Sequence, residues 1–147
     1  MSTMIKKHVA ELEGAQLDWA VAMAGHEWID AHKHFPTMTL DPTFAGVRIG
    51  EFGYLDGRLV CILIPNNPMR QDPQEFSPSR LWEHAGPIIE REEINVVAPD
   101  LEAVDHDRLW SADRHEDQRI CYGPTPLIAA MRAFVASKLG DEVEVPA

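Results

Sequence analysis

The chain has 147 residues, enough for one domain that buries about two-thirds of the surface its unfolded form exposes. Its 45% hydrophobic and 25% charged residues are ordinary for a globular protein and exclude global disorder. With 24 acidic residues against 13 basic ones the formal charge is -11, which repels polyanions and argues against direct binding to DNA, RNA or an anionic membrane.

The start, Met1 to Ala10, carries Lys6, Lys7 and His8 but no apolar core followed by a small-residue cleavage site, so it does not read as a secretion signal and the cytoplasm is expected. Leu12 to Ile29 is the first predicted helix. Leu17, Val21, Ala24 and Trp28 recur at i, i+4, i+7 and i+11, the spacing of one helical face. Trp19 and Met23 lie on the other side, which predicts a helix covered twice, and Gly25 weakens its second half by about 1 kcal/mol relative to alanine. His32 to Pro42 has two prolines and no period and reads as a loop.

Val47 to Leu55 and Arg58 to Ile64 flank Asp56-Gly57, a dipeptide that accepts the positive φ angles of a tight turn, and predict a β-hairpin. Leu59 to Ile64 is apolar at every position, as in a strand covered on both faces. It is also the longest apolar run, far short of the roughly 20 residues of a membrane-spanning helix. Pro65 to Ser79 contains Pro65, Pro68, Pro73 and Pro78 and is expected to be an exposed loop, neither helix nor interior strand. Ile88 and Ile89 precede the charged run Glu90 to Glu93, and Ile94 to Ala98 reads as a short strand ending at Pro99. Asp100 to Gln118 is polar and acidic, a loop or short helix held by Trp110.

Thr125 as N-cap, Pro126 at the first helical position and Gly140 as left-handed stop delimit a helix over Pro126 to Leu139. Leu127, Ile128, Met131, Phe134 and Val135 cover one arc, and Ala129, Ala133, Ala136 and Ser137 cover most of the rest. A solvated helix would carry charges there. The alanine side therefore predicts close packing on another backbone, either a second internal layer or a partner subunit, which makes these four residues the candidate face of a homodimer. Glu142 to Val145 alternates as a half-buried strand does. The expected fold is a small single α+β domain, with a short mixed or antiparallel sheet including the hairpin, packed against two main helices.

Signatures of chemistry are sparse. Cys61 and Cys121 are too few for a disulfide scaffold and read as buried reduced thiols. His26, His32 and His34 cluster early, and His106 and His115 sit among Asp105, Asp107, Asp113, Glu116 and Asp117, but the spacing fits no zinc or calcium pattern and no metal is expected. Glu90, Glu92 and Glu93 read as a solvated charge run rather than an acid–base pair. Gly123-Pro124-Thr125-Pro126 leads into a helix N-terminus, where capping is favoured over anion binding because the glycine pattern and lysine of a phosphate loop are missing. Trp19, Trp28, Trp82 and Trp110 read as core rather than as a platform for bases. With no GxSxG, P-loop or GxGxxG, no catalytic residue and no cofactor is expected, and the sequence leans away from an enzyme.

Several stretches carry a resemblance: Leu17-Asp18-Trp19-Ala20-Val21-Ala22, Ser77-Pro78-Ser79 with Trp82, Gly86-Pro87-Ile88-Ile89-Glu90-Arg91-Glu92, and above all Tyr122 to Arg132 continuing through Val135 to Asp141. Through them the chain resembles the NinX-like family of phage and prophage proteins, over residues 12–24 and 77–146, with 25–76 a longer, divergent insertion. The resemblance implies an accessory phage gene product and supplies no catalytic residue. The leading expectation is a non-enzymatic module that binds a host or phage protein in the bacterial cytoplasm, as a monomer or homodimer. The alternative is a small-molecule-binding protein or enzyme whose pocket joins Trp82, Glu90, Arg91, Tyr122, Gly123, Thr125 and Arg132. A third is an acidic mimic of nucleic acid that occupies a basic host protein.

Overall fold

The computed structural model describes residues 4–25, 47–49, 52–65, 74–100, 109–114 and 119–147. The predicted loop His32 to Pro42, Trp28 and five of the clustered histidines lie outside these residues, as do 66–73 and 101–108.

The two ends of the described chain form a pair. Strand β1, Met4–His8, runs antiparallel to the last strand, β9, Glu142–Pro146, with Lys6 opposite Glu144. Val143 and Val145 point inward from β9, which is the alternation expected of it. A short 3-10 turn, Val9–Glu11, leads into helix α1, Gly14–Ala24. Gln16 fastens this helix to the terminal pair by donating to the Pro146 carbonyl at 2.9 Å and accepting from Lys7 Nζ at 2.8 Å. Leu17, Ala20 and Val21 are buried, Trp19 is half-buried against the same core and Met23 is exposed, so the second cover extends to the tryptophan alone.

The hairpin forms as expected. Strand β3, Gly53–Leu55, pairs with β4, Arg58–Pro65, across Asp56 (φ 51) and Gly57 (φ 79), both in the left-handed region. Strand β2, Val47–Ile49, pairs with the far end of β4. The apolar run of β4 is covered on both faces at Val60 and Cys61, consecutive residues that point to opposite faces and are both buried, but not at the hairpin end, where Leu59 is 42% exposed opposite Tyr54.

Two segments differ from expectation. Strand β5, Gln74–Phe76, pairs with β4 inside the stretch read as an exposed proline-rich loop, and Phe76 is among the largest fully buried side chains. The prolines flank this strand, so none removes a hydrogen bond from it. Strand β7, Trp110–Arg114, replaces the expected loop or short helix and is the central strand of an antiparallel sheet, between β6, Ile94–Val97, and β8, Ile120–Gly123. Its polar residues conceal it, since only Ala112 is fully buried, although Trp110 does pack on the core as anticipated.

There are three α-helices among the described residues rather than two main ones. Helix α2, Trp82–Glu92, begins at the tryptophan, contains Pro87 and ends on Glu93 at φ 53. Helix α3, Pro126–Leu139, has the predicted bounds: the Thr125 hydroxyl accepts from the Ile128 N–H at 3.2 Å, and Gly140 at φ 92 stops it. This helix packs on the β6-β7-β8 sheet, on α1 and on α2, placing Met131, Phe134 and Val135 at the centre of the core. The fold is α+β, with antiparallel sheets throughout. No described helix is long and apolar enough to cross a membrane.

Candidate functional site

A buried polar network joins α1 to the segment after β5. Asp18 stands among the apolar residues of α1 and accepts from the Ser79 backbone N–H at 2.7 Å and from the Ser79 hydroxyl at 3.0 Å. Burial raises its pKa to about 7, against the lowering effect of the two Ser79 hydrogen bonds. Next to it, His84 of α2 stacks on Phe76, with centroids 5.9 Å apart, and its Nδ1 accepts the Ser77 N–H at 2.9 Å. Ser77 donates its hydroxyl to Glu75, which also accepts from Arg80 at 2.6 Å. Burial alone would raise the Glu75 pKa, and these two hydrogen bonds outweigh it and lower it. Because the Ser77 hydroxyl goes to a carboxylate and His84 Nδ1 to a backbone N–H, the group forms no serine–histidine relay of the kind that activates a nucleophile. It clamps the Ser77–Arg80 turn to the core. Burial also pushes the Cys61 thiol up, away from the thiolate that reactivity requires, and Cys121 is half-buried.

The single pocket expected from Trp82 to Arg132 divides into two hollows. Tyr122, Gly123 and Arg132 line one of about 280 Å³, between the outer edge of β8 and the corner where the 3-10 turn meets the start of β9. Arg132 is its buried floor. The Arg132 side chain crosses from α3 to donate Nε to the Leu12 carbonyl at 2.9 Å and Nη1 to the Tyr122 carbonyl at 2.8 Å. Arg119 stands at the rim, paired with Asp141 at 3.2 Å and donating to the Ala136 carbonyl at 3.0 Å. Leu109, Ile120 and Tyr122 form apolar walls and are 43%, 56% and 54% exposed. Gly123 is there for a different reason: a Cβ on it would come within 2.7 Å of the Ala129 backbone nitrogen, so glycine permits the close approach of β8 and α3.

Trp82 and Thr125 line the second hollow, of about 610 Å³, with Arg80, Glu13 and the start of α3. Trp82 is 59% exposed, contrary to its reading as core. Glu90 and Arg91 line neither hollow. Glu90 is exposed on α2, and Arg91 donates to Glu92 at 2.8 Å. Glu92 also meets Arg114 at 2.9 Å and Lys138 at 3.4 Å, and ties α2 to β7 and α3. Burial works against the Glu92 carboxylate, but the three cations hold it below its usual pKa. Glu92 is therefore a structural ion-pair hub rather than part of a solvated run.

The alanine side of α3 is an internal layer. Ala129, Ala133 and Ala136 are buried within the chain itself, and Ser137 is half-buried with its hydroxyl turned back to the Phe134 carbonyl at 2.8 Å. Of the two occupants the sequence allowed, the chain's own elements fill that face, which leaves it unavailable to a second copy. The residues that sequence missed are Leu109, Arg119 and Ile120. Only Ile120, an isolated apolar residue after a charged stretch, carried any local signal of exposure.

Together these features define a small α+β domain in which a sheet edge bears exposed apolar side chains above a buried arginine. The chain belongs to the family described as Bacteriophage P22, NinX, whose pattern matches residues 8–138. A search of curated proteins found no match to the chain. The stretches that carry the resemblance are joined in space, since Asp18 holds Ser79 and α1 and α2 both pack on α3.

Proposed function

We propose that this NinX-family phage protein is a non-enzymatic binding module that acts on a host or phage protein in the bacterial cytoplasm, through the edge of β8. The observation that carries the reading is the grouping of three exposed large apolar side chains at one hollow, Ile120 and Tyr122 on the edge strand β8 and Leu109 just before the neighbouring strand β7. Exposed apolar side chains grouped on one surface mark interaction sites, and an edge strand adds backbone groups to which another chain can pair. Tyrosine supplies a large, stiff contact at low entropic cost. The formal charge of -11 favours encounter with a basic partner.

The test is capture of a stoichiometric partner from host lysate by the tagged protein, at low and moderate salt, beside a variant carrying Ile120→Ser and Tyr122→Ser. Retention by the wild type and loss by the folded variant supports the reading. Equal retention by both removes β8 as the contact surface, and the absence of any stoichiometric partner removes the module.

A further inference from the structure

Arg132 poses a charge problem that its own neighbours do not solve. Its guanidinium is always charged, it is only 9% exposed, and both of its hydrogen bonds go to neutral carbonyls, those of Leu12 and Tyr122. No described carboxylate pairs with it, and Glu13 acts only from a distance. Of its five N–H groups two are used, and Nη2 is neither hydrogen-bonded nor among the buried atoms sealed from solvent. In the protein alone only water reaches this open edge of a largely buried charge, and a carboxylate in the hollow can take the water's place. In a chain with 24 acidic residues the missing counter-ion is not for want of supply.

The hollow above Arg132 sets the shape and charge of what completes it. Its walls are Leu109, Ile120 and Tyr122, and its rim holds Arg119 already matched by Asp141. One positive charge is therefore unmatched, and Asp141 opposes a second negative charge on the ligand. We propose that this hollow is a recognition site for the carboxylate of an apolar organic acid, with Arg132 receiving the carboxylate and Tyr122 and Ile120 covering the apolar body. A planar guanidinium suits a carboxylate in distance and direction. A volume of about 280 Å³ lies near the lower end of ligand pockets, which start at roughly 300 Å³, and admits one aromatic or branched acid. The same chemistry is offered by a free acid and by the C-terminal residue of a protein. The proposal deepens the binding-module reading and rests on it only for the shared walls.

The experiment is titration of the full chain, followed by backbone amide NMR and calorimetry, with 3-phenylpropionate and its neutral amide, and with acetyl-glycyl-phenylalanine as the acid and as the amide. The expected result is that an acid binds at least about tenfold more tightly than its amide and shifts the Ile120–Gly123 resonances. A tenfold difference corresponds to about 1.4 kcal/mol. Binding of both acids identifies a small-molecule site. Binding of the peptide acid alone identifies a partner's C-terminus. Arg132→Gln should abolish the acid preference, and because that residue also staples the fold, Ile120→Asp on the exposed wall provides a second variant that should weaken acid binding at least about tenfold. Equal binding of acid and amide, no acid binding at all, or an Ile120→Asp protein that binds the acid unchanged would overturn the proposal. Partner capture by β8 is read separately, so its loss in the serine variant would stand without the carboxylate site.

Discussion

Asp18 sets a pH response opposite in sign to that of the other perturbed carboxylates. Its pKa is raised from 3.8 to about 7, so between those values the folded chain keeps a proton that the unfolded chain releases. The stability that this proton supplies is fully present below about pH 4 and is lost as pH rises to about 7, with an upper limit of about 4 kcal/mol. Glu75 and Glu92 are lowered from 4.5, so their contributions are present above that value and lost as pH falls. Asp18→Asn cannot titrate. Relative to that variant the wild type should lose at least about 1 kcal/mol between pH 5 and pH 8 in urea unfolding, and parallel pH curves for the two proteins would contradict the burial assigned to Asp18. Phe76, fully buried against His84, makes a simpler prediction: Phe76→Ala should cost about 3–5 kcal/mol by the same measurement. A loss under 1 kcal/mol would mean that β5 does not enter the core.

Helix α3 was legible because its limits rest on local chemistry: Thr125 caps, Pro126 starts and Gly140 stops, each without help from the rest of the chain. The hairpin was legible for the same reason, since Asp56-Gly57 fixes the turn. By contrast β5 and β7 are strands through pairing with distant segments. Gln74–Phe76 offers three residues among prolines, and Trp110–Arg114 offers one buried alanine, so neither shows the period that a sequence window can detect. Two substitutions test the seating of α3. Thr125→Ala should cost about 1 kcal/mol through the lost cap. Gly123→Ala should cost about 1–3 kcal/mol, because the new methyl meets the Ala129 backbone and must push β8 off the helix. Ala133→Arg should unfold the chain rather than change its oligomeric state, because Ala133 is buried inside it; a folded variant of unchanged stability in calorimetry and light scattering would contradict the internal layer.

Across the whole molecule, the chain's ends pair through β1 and β9, α3 fills the centre, and the Ser77–Arg80 turn is locked to α1 by Asp18. That arrangement leaves β8 as a sheet edge with its apolar residues outward. The sequence placed Tyr122, Gly123 and Arg132 together but could not separate them from Trp82 and Thr125, because the division depends on how β8 sits against the start of β9, which the whole of α3 separates from it in the sequence. It could not show Leu109 or Arg119 at the same hollow, since the register of β7 with β8 brings them there. The measurement that bears most directly on the binding-module account is hydrogen exchange of the protein alone and saturated with its captured partner. The account predicts added protection concentrated at Arg119–Gly123 and around Leu109. Protection confined to the hairpin at Tyr54 or to the surface around Trp82, with β8 exchanging as in the protein alone, would contradict it.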